Sequence, residues 1–97
     1  MSSLTPGDKM IALARLQAAR DESYGANYNR VGAAMEAFFP DGVRLRSADD
    51  FTRYHILTMM VAKIGRYAFN FERGGHYDSL DDLAVYAAIL STIGVDR

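Results

Sequence analysis

Apolar residues recur at spacings of three and four in four segments of the chain, and this is the period of an α-helix. The pattern predicts helices near residues 7–23, 27–38, 48–71 and 79–92, and it predicts no strand. The third stripe is the longest and runs from Phe51 through Tyr54 and Val61 to Phe71. We therefore expect an all-α fold, a four-helix bundle-like domain with a long third helix.

Polar residues mark where these helices begin. Thr5 precedes a proline and is a good cap for the first helix, and Ser47 precedes the third helix. Asp50 follows Ser47 at the spacing of a capping box. The same spacing joins Ser79 to Asp82, so the fourth helix is expected to start at Ser79.

A glycine pair ends the third helix. Gly74 and Gly75 favour the left-handed conformation that terminates helices, and only a few residues separate them from the fourth helix. The two helices are therefore expected to form an antiparallel hairpin.

The fourth helix carries two apolar stripes. Its main stripe includes Leu80 and Leu90, while Val85, Ile89 and Ile93 form a second stripe away from the first. A helix with apolar surface on two sides usually needs a second partner. We expect this second stripe to be covered by another subunit in a homo-oligomer, most simply a dimer.

The composition limits the classes of function. The 97 residues form a single domain, 1–97, with an expected radius of gyration of about 12–13 Å if the chain is a compact monomer. The absence of cysteine excludes disulfides and thiolate metal sites, and two histidines are too few for a histidine-rich metal site. Apolar runs are short and there is no leader pattern, so we expect a cytoplasmic protein that binds no membrane.

Charge is unevenly distributed although the net charge is −1. Residues 44–73 carry six basic side chains against three acidic ones, and residues 78–97 carry four aspartates against one arginine. A local anion site fits this distribution, whereas the field that duplex nucleic acid requires is lacking.

The richest segment for chemistry is the junction of the third and fourth helices. Lys63, Arg66 and Asn70 lie at positions i, i+3 and i+7, so they share one helical face, followed by Arg73 and His76 around the glycine turn. Two cations and an amide in this arrangement suit a phosphate or another anion. Alternatively, Lys63 and Arg66 pair with aspartates of the fourth helix and hold the hairpin together.

Those aspartates allow a second interpretation. Asp78, Asp81 and Asp82 gather near one helix start, and Tyr86 follows Asp82 by one turn. Clustered carboxylates can hold Mg²⁺ together with substrate phosphates. The alternative is that they only favour the first turn of the helix through the helix dipole.

The first turn between helices contributes aromatic and basic residues. Arg20, Tyr24 and Tyr28 offer stacking surfaces and hydrogen-bond donors for a nucleotide, with Asn27 and Arg30 close by in the sequence. The alternative is that the tyrosines only pack with their hydroxyl groups in water.

The order of these motifs resembles a family of small uncharacterised phage-encoded proteins. The resemblance covers about residues 20–90. It rests on Tyr24-Gly25 and Asn27-Tyr28, on the run from Met59 to Arg66, and on the run from Asp78 to Ala87. The family has no established activity to carry over, so it implies a phage-type helical protein and no specific chemistry.

A more distant similarity joins the chain to the phage nucleotide-modification-associated domain and to MazG-like all-α nucleoside triphosphate pyrophosphatases. Those enzymes hold Mg²⁺ with a Glu-x-x-Glu pair on one helix and further acids on the next. This chain has Lys63 and Arg66 where the first acidic pair would fall. The similarity thus implies a nucleotide-binding scaffold more than pyrophosphatase chemistry.

Three functions follow as expectations. The first is a non-catalytic protein without cofactor that binds a nucleotide-like small molecule, for example as a sponge for a host immune messenger in the host cytoplasm. The alternatives are a divergent Mg²⁺-dependent nucleotide pyrophosphohydrolase and a protein–protein inhibitor of a host factor. The expected ligand-binding residues are Arg20, Tyr24, Tyr28, Lys63, Arg66, Asn70, Arg73, His76 and Tyr86, with Asp78, Asp81 and Asp82 as the only metal candidates.

Overall fold

The computed structural model describes the backbone of residues 5–24 and 27–94, and the side chains of residues 5–20 and 27–94. Regular structure in these ranges is entirely helical, which confirms the predicted all-α class. The elements are α1 (Pro6–Tyr24), α2 (Asn27–Phe38), α3 (Ala48–Phe69), a short 3₁₀ turn (Phe71–Arg73) and α4 (Tyr77–Leu90). No helix of the described chain has the length and apolar character needed to cross a membrane.

Side-chain caps fix the starts of α1 and α3. At α1, Thr5 and Asp8 exchange hydrogen bonds, with Asp8 N–H donating to Thr5 Oγ1 and Thr5 N–H to Asp8 Oδ2. At α3, Ser47 Oγ accepts from Asp50 N–H, while Asp50 Oδ2 accepts from the N–H of Arg46 rather than of Ser47. These backbone donors lower the pKa of the Asp8 and Asp50 carboxyls.

Helix α4 begins two residues earlier than predicted, because His76 is its cap. The His76 backbone is extended, and its Nδ1 accepts a hydrogen bond from the N–H of Ser79 at 3.2 Å. Ser79 Oγ lies 2.7 Å from the same nitrogen, and Ser79 is only 1% exposed. Ser79 is therefore a buried third residue of the helix, and the predicted cap at Ser79 is wrong.

Helix α3 ends at Asn70 rather than at the glycine pair. The side chain of Asn70 donates from Nδ2 to the Arg66 carbonyl, and the Asn70 carbonyl accepts from the N–H groups of Arg73 and Gly75. These bonds turn the chain into the 3₁₀ helix, which Gly74 then ends with a φ of 98°. At Gly75, where φ is also positive, a side chain would collide with the Tyr67 ring.

Helix α3 is the central element, with α2 and α4 antiparallel to it. Asn27 at the start of α2 contacts Ala62, whereas Phe39 just beyond its end contacts the Tyr54 ring at 6.0 Å. Near the start of α4, Asp82 pairs with Lys63, and farther along the chain Gly94 lies beside Arg53. Because consecutive helical residues project about 100° apart, Ala62 and Lys63 meet α2 and α4 on different faces of α3.

This arrangement buries little apolar surface. The buried apolar residues of the described chain are Met35, Ile56 and Val61. The predicted stripe of α3 missed Ile56, while Phe51, Ile64 and Phe71 of that region are exposed. One stripe cannot describe α3, because two helices pack on different faces of it.

Helix α1 explains the extended shape of the chain. Every described side chain from Pro6 to Arg20 is exposed, including Met10, Ile11, Leu13 and Leu16. The radius of gyration is 17.2 Å, well above the value expected for a compact monomer. The structure therefore contradicts the expectation that the single chain is compact.

Candidate functional site

Lys63 faces α4 and pairs with an aspartate. Its Nζ lies 3.0 Å from Asp82 Oδ2, and the Lys63 side chain is 14% exposed while that of Asp82 is 50% exposed. This is the ion pair of the scaffold alternative, and it joins the last third of α3 to the second turn of α4. The ion pair helps to hold α3 and α4 together as a hairpin. Contact of Lys63 with a ligand stays a prediction.

Asn70 organises the residues that follow it. Its Nδ2 donates to the carbonyl of Arg66, and its Oδ1 accepts from the guanidinium of Arg73 at 2.8 Å. The side chain of Arg73 is thereby fixed beside the end of α3. Arg66 itself is half-buried on α3, and its contact with a ligand stays a prediction.

A pair of arginines gathers around one aromatic ring. The guanidinium carbons of Arg30 on α2 and Arg73 on the 3₁₀ turn each lie 5.3 Å from the centroid of the Phe69 ring. At this distance the ring quadrupole attracts each cation. Within residues 5–20 and 27–94, no carboxylate lies at ion-pair distance from either arginine. We call Arg30, Phe69 and Arg73 the arginine cluster.

Asn27 positions Arg30 over this ring. Asn27 is buried, with 8% of the residue exposed, and its Nδ2 donates to the Ala62 carbonyl at 2.7 Å. Its Oδ1 fills the place where a side chain at Gly65 would stand. This contact fixes the first turn of α2 on α3, and Arg30 lies one turn further along.

Exposed aromatic rings lie next to the cluster in the sequence. Phe71 shares the 3₁₀ turn with Arg73 and is 69% exposed, and its ring makes a T-shaped contact with the Tyr67 ring. Tyr77 at the start of α4 is exposed as well. Exposed rings of this kind offer a stacking surface for a planar base.

His76 has a structural role as the cap of α4. Because Nδ1 accepts the Ser79 N–H, the ring proton resides on Nε2, and that nitrogen is the one that can donate to a ligand. Tyr86 is half-buried on α4, one turn after Asp82.

The aspartates of α4 do not converge. Asp78, Asp81 and Asp82 are all exposed, and Asp82 is paired with Lys63. Across the described residues, no group of three or more histidines, aspartates or glutamates is placed to hold a metal ion.

The residues expected around the first turn are only partly brought to the cluster. Arg20 and Tyr28 are exposed, and no described hydrogen bond, ion pair or ring contact joins them to Phe69 or Arg73. The side chain of Tyr24 lies outside the described residues. Among the described side chains of that stretch, Arg30 is the one that reaches the Phe69 ring.

A shallow cavity of about 270 Å³ lies at the other end of α3. It is open, smaller than the sites of about 300–1,000 Å³ that typically enclose small molecules, and predominantly apolar. We call it the end groove, and its lining is Phe39, Val43, Arg44, Leu45, Asp50, Arg53, Tyr54, Leu57, Leu90 and Ile93.

Sequence reasoning missed Phe69 and assigned Arg30 to another group. The sequence does contain the two cations, Arg30 and Arg73, that form the cluster. Their spacing does not indicate that α2 packs on α3 near Phe69. No family model matches this sequence, and no curated protein or solved structure shows significant similarity to it.

Proposed function

We propose that the chain is a non-catalytic binding protein for a phosphorylated, nucleotide-like ligand, and that it acts as a homodimer. The observation that carries the ligand proposal is the arginine cluster, in which Arg30 and Arg73 share the Phe69 ring with no carboxylate partner in the described chain. The ligand is held for sequestration and is released unchanged.

Phosphate is the anion that this cluster fits best. Both guanidinium carbons lie at the same distance from one centroid, so no more than twice that distance separates the two like charges. An anion that contacts both guanidinium groups would relieve their repulsion and accept paired hydrogen bonds from each planar fork. Arg73 is also prepared for this role, because the Asn70 side chain already restricts its conformation.

The aromatic surroundings favour a nucleotide over inorganic phosphate. Phe71 lies two residues before Arg73 on the same turn, with its ring largely exposed. Base stacking on such a ring contributes about 1–3 kcal/mol per base. A ligand that joins a phosphate to a planar base can therefore use both groups, as a nucleotide-derived messenger does.

The exposed surface supports the homodimer. A folded monomer of 10.8 kDa is expected to expose about 5,500 Å², whereas this chain exposes 7513 Å². The excess of about 2,000 Å² per chain is what each partner of an obligate homodimer commonly buries. Three buried apolar residues in the described part of the chain are also few for a stable monomer.

The ligand proposal is tested by isothermal titration with ATP and with inorganic phosphate. Arg73→Gln and Arg30→Gln each remove one charge-assisted contact, so each is expected to weaken ATP binding by about 1.5–3 kcal/mol. Arg46→Gln makes the same change of charge at an exposed side chain away from the cluster and is expected to bind as the unchanged protein does. Equal ATP affinity in all three variants would overturn the proposal.

Native mass spectrometry complements this titration. Protein purified from the cells that express it is expected to carry a co-purifying phosphorylated species, which Arg73→Gln loses. A ligand mass that survives in the Arg73 and Arg30 variants would place binding elsewhere on the chain.

A further inference from the structure

Helix α4 has more apolar surface than its own chain covers. From Leu83 to Leu90 it contains no charged residue, so it is apolar on all sides. Its inner side, with Leu83, Tyr86 and Leu90, is half-buried toward α3, while Val85 and Ile89 are exposed. A helix that is apolar on all sides is typically buried, so we expect another surface to cover the outer side of α4.

Helix α1 presents the complementary surface. Leu13 and Leu16 are exposed on one flank of a helix whose described side chains are all exposed. The basic residues Lys9 and Arg20 lie four positions before Leu13 and four positions after Leu16. Because four residues make about one helical turn, these cations border the same flank as the leucines.

We infer that α1 of one copy packs antiparallel along the outer face of α4 in a second copy. In this register Leu13 meets Ile89, Leu16 meets Val85, and Arg20 meets Asp81. On α4 the three contacting residues are four positions apart, and on α1 they are three and four positions apart. Residues at these spacings lie on one face of a helix, so the contacts stay on one face of each helix.

A second copy is the occupant for reasons of area and charge. The excess exposed area of about 2,000 Å² per chain matches an interface of obligate size, and the exposed apolar residues of α1 and α4 contribute to this excess. The α1 flank is basic, and the first turns of α4 are acidic through Asp78 and Asp81. Opposite charge at the edge of an apolar contact sets the register of the two helices.

Antiparallel packing is favoured over parallel packing. It places the positive end of each helix dipole near the negative end of its neighbour. It also puts Arg20 in the last turns of α1 opposite the acidic start of α4. This inference rests on the proposed homodimer and is independent of the arginine cluster, which lies on α2, α3 and the 3₁₀ turn.

Cysteine cross-linking gives a direct test, because the chain contains no cysteine of its own. One chain carries Leu16→Cys and a differently tagged chain carries Val85→Cys. After mixing and mild oxidation, a disulfide-linked pair that contains both tags is expected. The matched control replaces Val85→Cys by Glu36→Cys, an exposed position on α2, and is expected to give no such pair.

Charge reversal gives a second test that does not depend on oxidation. Arg20→Glu and Asp81→Arg are each expected to raise the dissociation constant of the dimer about tenfold in analytical ultracentrifugation. The combined variant is expected to return to within about threefold of the unchanged protein, which a general loss of folding would not do.

The outcomes separate this inference from the homodimer itself. A stable dimer that gives no Leu16–Val85 cross-link and ignores both charge reversals would overturn the α1–α4 contact and leave the homodimer standing. A monomer at all concentrations would overturn both. A cross-link within one chain from a Leu16→Cys/Val85→Cys double variant would overturn the contact between copies. Titration with ATP decides the ligand proposal separately in each case.

Discussion

Lys63 and Asp82 form an ion pair of 3.0 Å that connects α3 to α4. The lysine is largely shielded by the two helices, whereas half of the aspartate side chain is exposed to solvent. The pair therefore belongs to the partly exposed class, in which screening and side-chain entropy limit the gain in stability.

We expect Lys63→Ala to lower the free energy of unfolding and to leave ATP affinity within about twofold. A double-mutant cycle with Asp82→Ala should give a coupling energy of about 0.5–1 kcal/mol by urea denaturation. If Lys63→Ala instead binds ATP tenfold more weakly at unchanged stability, Lys63 serves the ligand and not the scaffold.

Gly65 is required where α2 crosses α3. A side chain at this position would occupy the space of Asn27 Oδ1, so Gly65→Ala is expected to destabilise the protein by about 1–3 kcal/mol. Gly32 on α2 is the matched control, because no atom lies within 4 Å of the position of an added Cβ. Gly32→Ala should stabilise by about 0.5–1 kcal/mol through helix propensity.

Thermal denaturation of these two glycine variants gives the readout. A further variant, Asn27→Ala combined with Gly65→Ala, removes the side chain that causes the collision and should lose less stability than the two changes added together. Equal stabilisation by Gly65→Ala and Gly32→Ala would contradict the close packing of Asn27.

The cap of α4 is tested at His76. His76→Ala removes the acceptor for the Ser79 N–H and is expected to cost about 1 kcal/mol of stability. His76→Asn supplies another short acceptor and should retain most of that energy. Chemical denaturation of both variants distinguishes a cap from a ligand contact, since a pure ligand contact leaves stability unchanged in either case.

How far the sequence predicts this fold depends on the range of each interaction. The bounds of α1 and α2 and the start of α3 were close to the prediction. The starts of α1 and α3 were predictable because Thr5 and Ser47 accept hydrogen bonds from residues only three positions away. The start of α4 was missed, because His76 caps it with a ring nitrogen instead of the usual hydroxyl or carboxylate.

The candidate site depends on contacts between distant segments. Asn70 was predicted from its helical spacing and Arg73 from its place at the glycine turn, and the hydrogen bond between them is local. Arg30 joins them only because Asn27 fixes α2 at Ala62, which is 35 positions away in the chain. No periodicity within one helix carries that information. For the same reason the sequence did not indicate that α1 leaves its apolar flank exposed.

The cap of α3 should make stability sensitive to acid. The Arg46 N–H bond lowers the pKa of the Asp50 carboxyl below its usual 3.8, so the charged form is favoured in the folded chain. This contribution is complete above that unfolded value and is lost as the pH falls through the lowered pKa of the folded protein.

We therefore expect unfolding curves of the unchanged protein to shift to lower denaturant as the pH falls from 5 toward 2. Asp50→Asn should be less stable than the unchanged protein at pH 7, and the difference between them should shrink over that acid range. Asp49→Asn is the matched control, because this neighbour in the same first turn makes no described cap. An acid response that is identical in both variants would contradict the role of Asp50.

Magnesium distinguishes binding from catalysis. The exposed carboxylates of Asp78, Asp81 and Asp82 do not converge, and the Lys63 ammonium already lies beside Asp82. A cation so close opposes a divalent ion electrostatically, whereas guanidinium groups bind phosphate without one. We expect ATP to bind equally well in EDTA and in Mg²⁺, with no pyrophosphate released on prolonged incubation. The contrary outcome is pyrophosphate release that requires Mg²⁺, disappears in Asp82→Asn and persists in Arg46→Gln. This outcome would identify the chain as a nucleotide pyrophosphohydrolase instead of a non-catalytic binding protein.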